Sequence, residues 1–168
     1  CVVNQRAVDS SPGKRYGHVM AYINPFLVVF GGNTGTEAVN DVWTFALNDT
    51  YLQFIQQYLG KVLTGSEAPS PRVYHSAAIC RTGSASGMLV VFGGRTTDQS
   101  ALDDTWGLRK HRDGKLDWVK APYRAGGKIP HARYQHSILF LDDLMLVVGG
   151  RNNQIGEKLN FDIYNTKP

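Results

Sequence analysis

Short apolar runs closed by paired glycines set the rhythm of the chain. "LVVFGG" ends at Gly32, the same six letters end at Gly94, and "MLVVGG" ends at Gly150. Runs this short, bounded by turn residues, predict interior β-strands. The runs "HVMAYI" and "HSAAIC" ahead of the first two predict a partner strand in each unit. After the glycines comes an acidic-aromatic element: "NDVWTF" from Asn40, "DDTWGL" from Asp103 and, more weakly, "NFDIYN" from Asn160. "DVWTFAL" alternates bulky and small side chains, as a third strand would. "RKHRDGKLDWVK" carries Asp113-Gly114, which predicts a two-residue hairpin turn with positive φ angles and a fourth strand ending near Trp118. The stretch "NDTYLQFIQQYLGKVLTGSE" lacks that tryptophan, and its apolar spacing also suits a short helix. We read Leu52 to Leu63 as the fourth strand of the first unit, with an enlarged loop.

Each unit opens with proline, then arginine three residues on and histidine three further: "PGKRYGH" from Pro12, "PSPRVYH" from Pro69 and "PHARYQH" from Pro130. Arg15, Arg72 and Arg133 put the period near 60 residues, which means stacked supersecondary units that bury a core only by stacking. The expected division is a strand of a preceding or closing blade over 1–10, and units over 11–66, 67–125 and 126–168, the last with no visible fourth strand. The glycine pairs are expected to end an interior strand where the backbone turns beside a neighbour and side chains would obstruct.

Diglycine, Asn/Asp-x-Trp and a fourth-strand aromatic, repeated in register, resemble the kelch repeat over essentially the whole chain. That resemblance implies an all-β fold: a kelch-type β-propeller fragment of about three four-stranded antiparallel blades, about half of a six-bladed propeller. "GLRKHRDGKLDWVKAP" and "ARYQHSILFLDDLMLVVGGRNNQ" further resemble the N-terminal region of the Kelch-like protein Ser/Thr phosphatases of plants and apicomplexan parasites. This second likeness covers residues 69 to 153 well and the rest loosely. It implies a separate C-terminal phosphatase domain in the same polypeptide, with two bound metal ions such as manganese. The metal-binding motifs of that domain do not occur in this chain, which is expected to be non-catalytic and to hold no cofactor.

Composition narrows the setting. The chain has 168 residues, 42% of them apolar, enough for a well-cored domain. No apolar run approaches the roughly 18 residues of a membrane-spanning helix, so direct membrane insertion is not expected. The start, "CVVNQRAVDSS", has no signal-peptide pattern and no initiator Met, which suggests a piece of a longer protein. Cys1 and Cys80 make no disulfide framework, and a reducing cytoplasmic or nuclear setting fits. A formal charge of +4 favours acidic partners without marking a nucleic-acid binder.

Candidate chemistry is sparse. His18, His75 and His136 fall at one equivalent position in successive units, which suits imidazoles bonding backbone between blades rather than a converging metal cage. No G-x-S-x-G elbow occurs, and Cys80 lies in an apolar strand that disfavours its thiolate and speaks against a copper oxidase with a modified cysteine. Arg15, Arg72 and Arg133 share one register, and two readings of them stand side by side. Converging planar forks would bind carboxylate or phosphate, as arginines at the corresponding position do in the kelch propellers this chain resembles. Alternatively, each pairs with a carboxylate of its own blade, Asp41, Asp104 or Asp162. Tyr16 and Tyr134 follow their arginines directly and are candidate contacts, whereas Tyr74 is offset by one residue and is expected to point elsewhere.

The polar loops after the diglycines differ in sequence, as recognition loops on a rigid scaffold do, and Arg95 and Arg151 begin two of them where Asn33 begins the first. Arg109, Lys110, His111, Arg112 and Lys115 surround the hairpin, where charge protects a strand edge. Together these features favour a protein-interaction module that recruits acidic or phosphorylated protein segments. The alternative is an assembly module that packs on the phosphatase domain or self-associates.

Overall fold

The computed structural model of the chain describes residues 11–47, 54–57, 67–122, 128–153, 157–158 and 161–165. Three antiparallel sheets follow one another along the sequence. The first contains β1 (Val19–Ile23), β2 (Phe26–Phe30), β3 (Val42–Ala46) and β4 (Phe54–Gln57), in that order. The second repeats the order with β5 (Ser76–Ile79), β6 (Leu89–Phe92), β7 (Thr105–Lys110) and β8 (Leu116–Lys120). In the third, β9 (Tyr134–Leu141) pairs β10 (Leu144–Asn152), which pairs β12 (Phe161–Asn165) on its other side. The two-residue β11 (Glu157–Lys158) pairs the end of β10.

The strand expected over Leu52 to Leu63 is present at Phe54–Gln57, and the rest of that stretch lies outside the described residues. The hairpin between β7 and β8 differs from expectation. His111 N donates to Lys115 O at 2.8 Å and Gly114 N to His111 O at 3.0 Å, which closes a three-residue loop. Of Asp113 and Gly114, only Gly114 has positive φ, at 85°. Asp113 instead uses its carboxylate to accept Lys115 N at 3.0 Å, which suits a type I turn followed by a left-handed glycine.

Directly opposed residues of an antiparallel pair share a face, so the registers sort the core. Leu89 and Val91 of the second sheet join Val28, Phe30 and Val42 of the first in one buried cluster, capped by Trp106 and Trp118. Val90 and Phe92 point the other way and meet Met145 and Val147 of the third sheet. The middle sheet is thus buried on both faces, which is why "LVVF" has no polar alternation. On β9 the alternation returns, and Leu139, Leu141, Leu144, Val148 and Ile163 stay exposed on the outer face of the third sheet.

The glycine pairs sit where one sheet meets the next. A Cβ on Gly93, whose φ is +67°, would lie 2.6 Å from the Arg133 carbonyl oxygen and 2.8 Å from His136 Cε1. Both the left-handed backbone and the close approach therefore require glycine. Across the same joint His136 Nε2 donates to Phe92 O at 2.9 Å, as His75 Nε2 donates to Phe30 O at 3.1 Å. The amides of Gly32 and Gly94 donate to Arg72 O and Arg133 O, both at 2.9 Å. The expected backbone-bonding role of the histidines is thus observed at His75 and His136.

A second set of links runs through the third position of each arginine-to-histidine motif. Tyr74 N donates to Gly17 O at 2.8 Å, and Gln135 N donates to Tyr74 O at 2.9 Å. All three residues are left-handed, with φ of 65° at Gly17, 58° at Tyr74 and 57° at Gln135. Tyrosine adopts this region only at a cost, and here the bonds to both neighbouring sheets hold it there.

Candidate functional site

The three motif arginines start just before the first strand of each sheet, and each guanidinium turns back into its own sheet. Arg72 donates all five N–H groups: Nε to Ser70 O, NH1 to Gly93 O and Asp104 Oδ1, NH2 to Ser70 Oγ and Asp104 Oδ2. Arg15 does the same with Pro12 O, Gly31 O and both oxygens of Asp41. Arg133 binds His131 O, Gly149 O and Asp162. Their side chains are 4%, 0% and 1% exposed for Arg15, Arg72 and Arg133.

The acidic-aromatic elements complete the same network. Trp43 Nε1 donates to Asp41 and Trp106 Nε1 to Asp104, each at 2.7 Å. In the third sheet Asp162 takes the amide and ring of His131, at 3.1 and 3.0 Å. Burial pushes each carboxyl up, but for Asp41 and Asp104 the bonds from arginine and tryptophan, and for Asp162 those from His131 with the charge of Arg133, more than offset it. All three end below the usual carboxylate range. Proline-arginine, diglycine and Asp-x-Trp are therefore parts of a single brace.

Arg95 and Arg151 are placed differently. The residue after each diglycine bridges the residue after the motif arginine: Asn33 with Tyr16, Arg95 with Val73, and Arg151 with Tyr134. Asn33 and Arg95 also bridge Ala38 and Ala101 in the loops beyond, and Ala38 N donates to Thr97 Oγ1 at 3.1 Å, joining the first two loops. Among the described residues neither Arg95 nor Arg151 has an ion pair. Arg151 is exposed. Arg95 is half-buried, with its guanidinium carbon 5.2 Å from the centre of the Tyr134 ring and 5.5 Å from that of Tyr74.

The tyrosines divide accordingly. Tyr16 is 47% exposed, with its ring centre 6.0 Å from that of Tyr74, whereas Tyr134 is 2% exposed. Val73, not Tyr74, occupies the position of Tyr16 and Tyr134, and the Tyr74 ring comes from the next residue to lie near Tyr16 and Arg95. Tyr74 thus belongs to the group, contrary to the expectation that it points elsewhere.

Between β1, β5 and β9 a groove is lined by Val19, Met20, Ser76, Ala77, Ser137 and Ile138, beside His75. It presents no charged group. Among the described residues no three His, Cys, Asp or Glu side chains converge as metal ligands. Cys80 is free and buried, with Sγ toward Thr82 O at 3.4 Å. On the outer hairpin Arg109 grips Asp117 with two bonds, of 3.0 and 2.7 Å, and His111 Nε2 lies 3.1 Å from the same carboxylate. The pair is about 40% exposed, at 43% for Arg109 and 39% for Asp117, so water screens it. Asp117→Ala is expected to shift the melting temperature by about 2 °C or less, read by differential scanning fluorimetry.

No family model matches the chain. It is 36% identical over 140 residues to the serine/threonine-protein phosphatase BSL2 of Arabidopsis thaliana, an alignment covering 83% of this chain and 12% of that protein. It is 31% identical over 169 residues to Adagio protein 3 of the same plant, covering 96% and 25%. An F-box/kelch-repeat protein, also from Arabidopsis thaliana, is 29% identical over 168 residues, covering 95% and 31%. The chain spans less than a third of the length of each of these curated relatives.

Proposed function

We propose, from the premise that this chain is a kelch-repeat region homologous to those of the phosphatase, adagio and F-box proteins, that it is a non-catalytic protein-interaction module. In this reading it belongs to a Ser/Thr protein phosphatase and recruits acidic or phosphorylated protein segments to a catalytic domain in the same polypeptide. The observation that carries the reading is the division among the arginines. Three are locked onto their own aspartates and hold the sheets rigid, while Arg95 and Arg151 open the loops with no carboxylate partner among the described residues. Relatives whose names denote unlike activities share this region, which supports binding rather than one chemistry as its common contribution.

The test is fluorescence anisotropy of the chain with a phosphopeptide pool and its unphosphorylated twin at two salt concentrations. The phosphorylated pool is expected to bind at least tenfold more tightly, and to weaken as salt screens charges beyond about 10 Å. A second reading, structural assembly, rests on the exposed apolar outer face of the third sheet. It takes over if neither pool binds and the chain elutes as a dimer by light scattering.

A further inference from the structure

We propose that two copies of this chain close a ring of six sheets, the first sheet of each packing on the third sheet of the other. The inference rests on the assembly reading above, whose two surfaces it names, and it is independent of what the loops bind. The two joints inside the chain repeat one set of parts. The later sheet brings a histidine, His75 or His136, which donates to the carbonyl just ahead of the earlier sheet's glycine pair. It also brings the residues two and four places beyond that histidine. These are Ala77 and Ile79 at one joint and Ile138 and Phe140 at the other, and each pair packs into the buried cluster of its joint. The earlier sheet brings its glycine pair and the apolar face that carries Phe30 or Phe92.

Each end of the chain presents one half of this joint. On the first sheet the later half is open. His18 is exposed, and its ring has no hydrogen bond among the described residues. Met20 and Tyr22, two and four places beyond it, are 65% and 51% exposed. On the third sheet the earlier half is open. Val148 holds the place of Phe30 and Phe92 but is 53% exposed, and Leu139, Leu141 and Ile163 share its exposed face. A Cβ on Gly31 or Gly93 would lie 2.7 or 2.8 Å from Cε1 of the arriving histidine, whereas one on Gly149 would meet nothing within 4 Å. A histidine ring fills that space at the two closed joints.

The two open halves therefore fit each other, and neither fits itself: two like faces would bring together two histidines or two glycine pairs. A contact of this head-to-tail kind repeats until the rotation closes. β-Propellers close at about four to eight sheets, so two copies of three sheets complete the circle and three copies overshoot it. In the ring, His18 Nε2 of each copy donates to Val148 O of the other, and both apolar faces leave water.

Light scattering on the eluting 168-residue chain is expected to give twice 18.6 kDa. Met20→Asp and Val148→Asp each change an exposed residue, so both should keep the β-sheet circular dichroism of the parent. Each should weaken the dimer by about tenfold or more, because its charge is buried at both joints. His18→Ala should weaken it severalfold through the lost imidazole bonds. A dimer that Val148→Asp breaks and Met20→Asp leaves intact joins third sheet to third sheet, which overturns the ring and keeps the assembly reading. A dimer that neither aspartate variant weakens, or a parent larger than a dimer, has the same meaning. A monomeric parent overturns both. Peptide binding, read by anisotropy on the same samples, decides the interaction module separately.

Discussion

Between pH 6.5 and about 4 the melting temperature is expected to fall by about 6–10 °C per pH unit. The cause lies at the two joints between sheets. Burial, with the neighbouring Arg72, pushes His75 down to about 3, and burial, with Arg133, pushes His136 down to about 4. Each Nε2 proton is given to a carbonyl, of Phe30 or Phe92, and each Nδ1 is buried without a partner. An added proton at Nδ1 would place a charge where neither water nor acceptor receives it. At neutral pH both rings are uncharged folded or unfolded, so they contribute no pH dependence. Below about 6.5 the unfolded chain takes up protons that the folded chain refuses, and each histidine removes about 1.4 kcal/mol of stability per pH unit. The loss from each ends at its folded pKa. Two such groups, at about 2–4 °C per kcal/mol for a chain of this size, give the slope. The depressed aspartates act in a lower window: they hold full stability above their unfolded pKa and lose it as pH falls below about 4. Thermal melts at half-unit steps check this, and His136→Gln should roughly halve the slope between pH 6 and 4.5. A flat profile there would contradict the buried-imidazole account.

Arg72→Ala is expected to cost about 3–5 kcal/mol, or roughly 10–15 °C in melting temperature, at neutral pH. The side chain is fully buried and the substitution removes five hydrogen bonds at once. It also strands Asp104 and leaves the Gly93 carbonyl unpaired, beside the joint to the third sheet. Arg72→Ala combined with Asp104→Ala should recover part of the loss, because the uncompensated charge goes with it. Urea denaturation of the two variants separates the pair from its surroundings, and a loss under 1 kcal/mol for Arg72→Ala would show that the brace is not holding the sheet.

Much of the architecture was readable from local pattern. The runs ending at Phe30 and Phe92 are strands because they are buried on both faces or nearly so, and the glycines behind them stand where the next sheet's histidine arrives. The turn at Asp113-Gly114 was misread because the dipeptide reports a preference, while loop length depends on which cross-strand bond closes it. For the motif arginines, a receptor and a brace use the same residues at the same spacing, and only distance tells them apart. Tyr74 was hidden because its ring meets Tyr16 of the preceding unit and Arg95 of the loop beyond only on folding, which a one-residue offset in the motif does not report. Arg95 was visible as a loop arginine, but its two aromatic partners come from the second and third sheets and meet only on folding.

The joints between sheets have a consequence for how such a chain can change over time. At both joints the acceptors are main-chain oxygens, of Phe30 and Arg72 at one and of Phe92 and Arg133 at the other. The polar bonds of such a junction ask a neighbour for one histidine and a pair of glycines, and its packing asks for an apolar face to meet the sheet beside it. Units that keep those letters and that face can have their loops rewritten without redesigning the joint.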